Sequence, residues 1–157
     1  MTKLYRMFSE GEGFMDIKRD KYLNDLINRM HNGMIKVVTG IRRCGKSYLL
    51  FNIFKNYLLE QGVPASHIIM IELDQRKNKK YRDPDVILDY IESLIEEDGQ
   101  YYIMLDEVQM LQEFEEVLNS LLHIRNADVY VTGSNSKFLS KDVITEFRGR
   151  GDEIHIY

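Results

Sequence analysis

The chain has one cysteine, Cys44, in 157 residues. An intrachain disulfide is therefore excluded, and a reducing, cytoplasmic setting is expected. No apolar run approaches the ~20 residues that a membrane helix needs. The first residues are polar and lack the apolar centre of a signal peptide. No excess of basic residues is present: 21 Lys and Arg stand against 25 Asp and Glu, a net charge of −4. A domain-wide nucleic-acid footprint is thereby excluded, and only a local basic patch remains open. The four histidines, His31, His67, His123 and His155, have no ligand spacing, and a lone cysteine offers no zinc site. There is no internal repeat and no low-complexity tract.

What is present is an alternation of strands and helices. Residues 1–14 contain Ser9-Glu10-Gly11-Glu12-Gly13 and read as a flexible arm. Residues 15–157 read as one domain, long enough to bury a core. Within it, residues 19–32 predict a helix with Tyr22, Leu23, Leu26, Ile27 and Met30 on one face. Apolar, β-prone runs predict strands at 34–39, 67–73, 101–105 and 128–132, and alternation predicts a fifth at 153–157. Helices are expected from Lys46 to the Gly62/Pro64 stop, from Asp83-Pro84 to Asp98-Gly99, and around Phe114–Leu122, with a short helical segment at 136–147. The fold class that follows is α/β with a mainly parallel sheet.

Gly40-Ile41-Arg42-Arg43-Cys44-Gly45-Lys46-Ser47 fits G-x-x-x-x-G-K-[ST], the phosphate-binding loop. Chance supplies this pattern in roughly one chain in two hundred of this length, so context must decide. The context is a strand before the loop and an amphipathic helix after it. Gly40 and Gly45 permit a tight turn that aims backbone N–H groups at phosphate oxygens. Lys46 is expected to reach the β- and γ-phosphates and Ser47 to ligate Mg²⁺. The whole loop and the following Tyr48 form the expected nucleotide contact. Arg42 and Arg43 are solvent-facing variable positions or sources of positive potential. Cys44 is either a tolerated small residue or an oxidation-sensitive thiol beside a helix start.

A second motif follows the third strand. Apolar residues run into Asp106-Glu107, about 60 residues after the loop. Asp106 is placed to hold Mg²⁺ alongside Ser47, while Glu107, pointing elsewhere, can polarise an attacking water. Alone, the pair could simply cap the next segment; the loop upstream favours the metal reading. Ser134 or Asn135, after the fourth strand, either contact the γ-phosphate or attacking water or form an ordinary Gly-Ser-Asn turn. Arg148 and Arg150 are either solvated or able to reach a γ-phosphate in a neighbouring subunit. Arg76-Lys77-Asn78-Lys79-Lys80-Tyr81-Arg82 is either a solvated loop or a contact to nucleic acid or another acidic partner. In open parallel sheets ligands bind beyond the carboxyl ends of the strands, where the loop, Asp106-Glu107 and Ser134-Asn135 all fall.

Thr39–Ser47, Asp106-Glu107-Val108-Gln109 and Val131-Thr132-Gly133-Ser134-Asn135 together resemble the AAA+ ATPases. More narrowly, they are similar to a bacterial and archaeal group with a T-G-I-R-R-x-G-K-S loop, a D-E-(V/I)-Q acidic motif and a T-G-S turn. Phe147-Arg148-Gly149-Arg150 is similar to the Gly-Arg element that group carries before its fifth strand. The resemblance implies a three-layer P-loop core, a five-stranded sheet of order 5-1-4-3-2, and ATP with Mg²⁺ as cofactors. It implies Ser134 or Asn135 as γ-phosphate sensor and Arg148 or Arg150 as an arginine finger in a homo-oligomer. It also implies a longer protein, with a helical lid and a C-terminal endonuclease-like domain that are absent here, so the chain reads as truncated before the lid. The expected activity is hydrolysis of ATP to ADP and phosphate, with Lys46 and Glu107 as the central catalytic groups. The alternatives are a non-hydrolysing nucleotide switch and a small-molecule phosphotransferase.

Overall fold

A computed structural model describes residues 10–40, 45–134 and 150–156, with backbone only at 10–18. Five strands form one sheet: β1 (Ile35–Thr39), β2 (Ile68–Glu72), β3 (Tyr101–Asp106), β4 (Ala127–Gly133) and β5 (Gly151–His155). Their order is β2-β3-β4-β1-β5 and every pairing is parallel. This is the expected 5-1-4-3-2 order. The order matters because it sets β1 beside β4 and β3 beside both β2 and β4, so the segments after β1, β3 and β4 emerge together.

Helices cover both faces. On one side lie α1 (Glu10–Arg29), α2 (Lys46–Tyr48), a π-helical stretch (Leu49–Phe54) and α3 (Lys55–Glu60); on the other lie α4 (Pro84–Leu94) and α5 (Phe114–Leu122). The two-residue period of a strand explains the two cores. In β3, Tyr101, Ile103 and Leu105 pack with Ile87, Ile91, Phe114 and Leu118. Tyr102 and Met104 pack with Leu26, Leu50, Phe54 and Leu58. All six residues of β3 are buried, which is why its sequence is a continuous apolar run. At α4, Asp83 accepts hydrogen bonds from the N–H groups of Asp85 and Val86, and Pro84 occupies the first turn, the start that Asp83-Pro84 predicted.

Several boundaries differ from the sequence reading: α4 stops at Leu94, short of the expected Asp98-Gly99, and α1 stops at Arg29, short of residue 32. α1 begins at Glu10, so residues 10–14, expected in the arm, are helical backbone. β5 begins at Gly151, two residues early, because Gly151 and Asp152 still pair with Ile35 and Lys36. Residues 76–82, expected as an open loop, wind into a 3₁₀ helix. The expected helical segment at 136–147 lies outside the described residues.

The amino ends of the strands carry a buried polar cluster that the sequence did not announce. Lys36 is fully buried and ion-paired to Asp128, and its Nζ also donates to Asn32 Oδ1 at 3.3 Å. Tyr130 donates to Asp128 Oδ2 at 2.5 Å, and the N–H of His31 donates to the same oxygen at 2.9 Å. Burial, then the Asp128 charge, pushes the Tyr130 phenol far above its ordinary value. Pairing this way offsets the cost of burying Lys36.

Candidate functional site

The site is built where β1, β3 and β4 end. At β1, the Thr39 hydroxyl donates to Glu153 Oε1 at 2.7 Å and lies 2.9 Å from His155 Nδ1, and the Ile156 N–H donates to the Thr39 carbonyl. These contacts fix the strand end from which the loop departs. Gly40 has φ +150° and Gly45 has φ +96°, both costly for a residue with a side chain. Gly45 precedes the first turn of α2, and its carbonyl accepts the N–H of Leu49 at 2.9 Å. Lys46 is buried, an ammonium drawn in from water at the start of a helix. Of the predicted nucleotide contacts, Gly40, Gly45, Lys46, Ser47 and Tyr48 are described. Ile41, Arg42, Arg43 and Cys44 lie outside the described residues. Tyr48 is exposed, with the Arg19 guanidinium 5.0 Å from its ring centre.

The loop side and the acidic side meet directly. Ser47 Oγ donates to Asp106 Oδ1 at 2.7 Å, across 59 residues of chain. Thr132 Oγ1 donates to the same oxygen at 2.5 Å and accepts the N–H of Glu107 at 2.8 Å. Thr132 therefore ties β4 to both carboxylate residues. Its partners lie about 25 residues away in sequence and become neighbours only through the β3–β4 pairing, so the sequence shows Thr132 only as part of a T-G-S turn. Asp106 is 5% exposed. Its carboxyl is pushed above the ordinary range chiefly by burial, with the Glu107 and Asp74 charges adding; the Thr132 and Ser47 hydrogen bonds oppose this. A carboxylate desolvated this way is stabilised by a cation brought to it.

Glu107 occupies the left-handed region, φ +55°, a conformation uncommon for a non-glycine residue and concentrated at functional sites. The turn aims its side chain away from Asp106. Oε2 accepts from Gln109 Nε2 at 2.5 Å and from Ser134 Oγ at 2.6 Å. Gln109 Oε1 is buried with no hydrogen-bond partner among the described residues. Ser134 thus contacts the carboxylate assigned to water activation, a partner the sequence did not reveal. Asn135 and Arg148 lie outside the described residues. Arg150 is not brought to this site. It precedes β5 at the amino end of the sheet, where its carbonyl accepts the Ile35 N–H and its guanidinium donates to Asn119 Oδ1 at 2.9 Å. A role for Arg150 at a nucleotide is left only in a neighbouring molecule.

The raised Asp106 value carries a stability consequence. The fold favours the neutral acid, so the penalty is absent below the ordinary value of 3.8, grows as pH rises from there to the raised value, and is constant above it. Asp106→Asn keeps the acceptor oxygen for Ser47 and Thr132 without the charge. It should raise the melting temperature at neutral pH, without nucleotide or metal. The gain should vanish near and below about pH 4. Thermal melts across pH check this.

The AAA domain family profile matches residues 32–157. An uncharacterized protein of Haemophilus influenzae is 32% identical over 142 residues, covering 90% of this chain and 35% of that protein. An uncharacterized protein of Methanocaldococcus jannaschii is 28% identical over 138 residues, covering 85% of this chain and 29% of that one. The chain thus spans about a third of the length of these relatives. Among solved structures, a chain of the Drosophila ORC complex bound to AT-rich DNA and Cdc6 superposes with a TM-score of 0.61 at 14% identity, covering 99% of this chain and 61% of that one. C. elegans PCH-2 gives 0.55 at 15% identity, covering 90% and 41%. A Thermotoga maritima DNA polymerase III gamma subunit-related protein gives 0.52 at 14%, covering 89% and 46%. At these identities the structures share the fold.

Proposed function

The chain belongs to the AAA domain family, and on that premise we propose that it binds ATP with Mg²⁺ and hydrolyses it to ADP and phosphate. The observation that carries the reading is the 2.7 Å contact between Ser47 Oγ and Asp106 Oδ1. A hydroxyl from the glycine loop after β1 and a desolvated carboxylate from the end of β3 are the two protein groups an Mg–nucleotide site uses. The donor set fits the cation. Mg²⁺ is usually held by one or two protein oxygens and takes its other ligands from phosphates and water. When bound, Mg²⁺ supplies neutralising charge on the phosphates. The chain's own groups divide the remaining work. Loop N–H groups and Lys46 hold the phosphates, Ser47 and Asp106 hold the ion, and Glu107 accepts the proton of the attacking water. Arg150 acts across a subunit boundary in a homo-oligomer, since its own site lies at the other end of the sheet.

A second reading, a switch that binds ATP without cleaving it, has one observation behind it. Glu107 Oε2 already accepts hydrogen bonds from Gln109 and Ser134, so this oxygen is engaged by the protein's own donors until one of them lets go. Product analysis separates the readings. Hydrolysis gives ADP and inorganic phosphate in equal amounts. Tight ATP binding with no phosphate release supports the switch, and ADP without phosphate supports transfer to an acceptor.

A further inference from the structure

We propose that the 3₁₀ segment Arg76–Arg82 and the groove beside it bind the phosphodiester backbone of nucleic acid. The segment carries five basic residues in seven positions, in a chain whose net charge is −4. Its winding sorts them. In a 3₁₀ helix residues three apart share a face, and three residues rise about 6 Å. Arg76, Lys79 and Arg82 therefore form one row, with Lys77 and Lys80 beside it. That pitch is close to the spacing of successive phosphates along a strand.

The row is held rigidly. Asn78 Nδ2 donates to the Glu72 carbonyl at 3.0 Å, Arg82 Nε donates to the Leu73 carbonyl at 2.9 Å, and the Gln112 N–H donates to the Arg82 carbonyl at 3.0 Å. These bonds fasten the segment to the end of β2 and to the chain beyond Glu107. Lys79, Lys80, Arg82, Asp83, Met110 and Gln112 line an open groove of about 580 Å³. The Asp83 carboxylate is engaged in capping α4. Among the described residues none of the five cations forms an ion pair. Fixing mutually repelling charges on one groove wall costs stability, and a polyanion seated there recovers it. Flanking apolar surface favours nucleic acid over an acidic polypeptide. The Met110 side chain is 39% exposed on the groove wall and the Tyr90 ring is 37% exposed beside Tyr81, and such surfaces accept sugars and bases.

The test is fluorescence anisotropy of labelled oligothymidine and of a mixed-sequence duplex, without nucleotide triphosphate, between ~50 and ~200 mM salt. Wild-type protein should bind with a steep salt dependence, and the tighter of the two probes identifies the strand form. Lys79→Ala/Lys80→Ala should weaken binding at low salt at least about tenfold and flatten the log–log salt slope by about 1.4 on single strands or about 1.8 on duplex. The Lys79→Arg/Lys80→Arg protein should keep both affinity and slope. ATP binding by both variants should match wild type, so a failure here is distinguishable from a failure of the ATPase reading. No binding by wild type, an unchanged alanine variant, or equal displacement by polyglutamate overturns the proposal.

Discussion

Lys46→Ala should lower ATP affinity by at least about 100-fold while leaving the fold in place. The ammonium is buried at the first turn of α2, where it meets the phosphates largely stripped of water. Charge-assisted hydrogen bonds in such a setting are each worth ~1.5–3 kcal/mol, and ~2.7 kcal/mol is a factor of 100. Isothermal titration with ATP and a thermal melt on the same preparation check both parts. Near-wild-type ATP affinity in a folded Lys46→Ala protein would contradict the assignment of the loop.

Glu107→Gln should retain ATP binding and lose about 10²- to 10⁴-fold in turnover, the range general-base catalysis supplies. The distinction follows from geometry. Asp106, not Glu107, receives Ser47, so the metal side of the site is intact in the variant. The glutamine amide matches the carboxylate in shape and can still accept from Ser134, but it cannot take a proton. A role for Glu107 limited to capping the turn after β3 predicts a different outcome: loss of stability with turnover kept. The left-handed φ of +55° belongs to the backbone and is unchanged by the substitution, so the variant isolates the carboxylate chemistry.

Much of this site was legible because its signals are local. The glycines of the loop, the unbroken apolar run of β3 and the Asp-Glu at its end each lie within a few consecutive residues. Burial on both faces makes such strands read as continuous hydrophobic stretches. What was not legible depends on strand order. Lys36 and Asp128 look like ordinary polar residues in strand runs, and they become an ion pair only because β1 lies next to β4. Thr132 becomes the tie between Asp106 and Glu107 through the β3–β4 pairing. The 3₁₀ winding of residues 76–82 was missed for a related reason. It is held by bonds to Glu72, Leu73 and Gln112, while its sequence reads as a charged loop. The π-helical stretch Leu49–Phe54 was hidden too, since apolar pairs every four residues suit an α-helix as well.

The central claim is that the two carboxylates divide the work, Asp106 for the ion and Glu107 for the water. One measurement addresses it directly: bound nucleotide and released phosphate followed in a single sample of Glu107→Gln with Mg²⁺ and ATP, beside wild type. The account predicts ATP accumulating on the variant at wild-type occupancy, with phosphate release slower by about 10²-fold or more. Phosphate release at the wild-type rate, or loss of ATP occupancy in a folded variant, would contradict it.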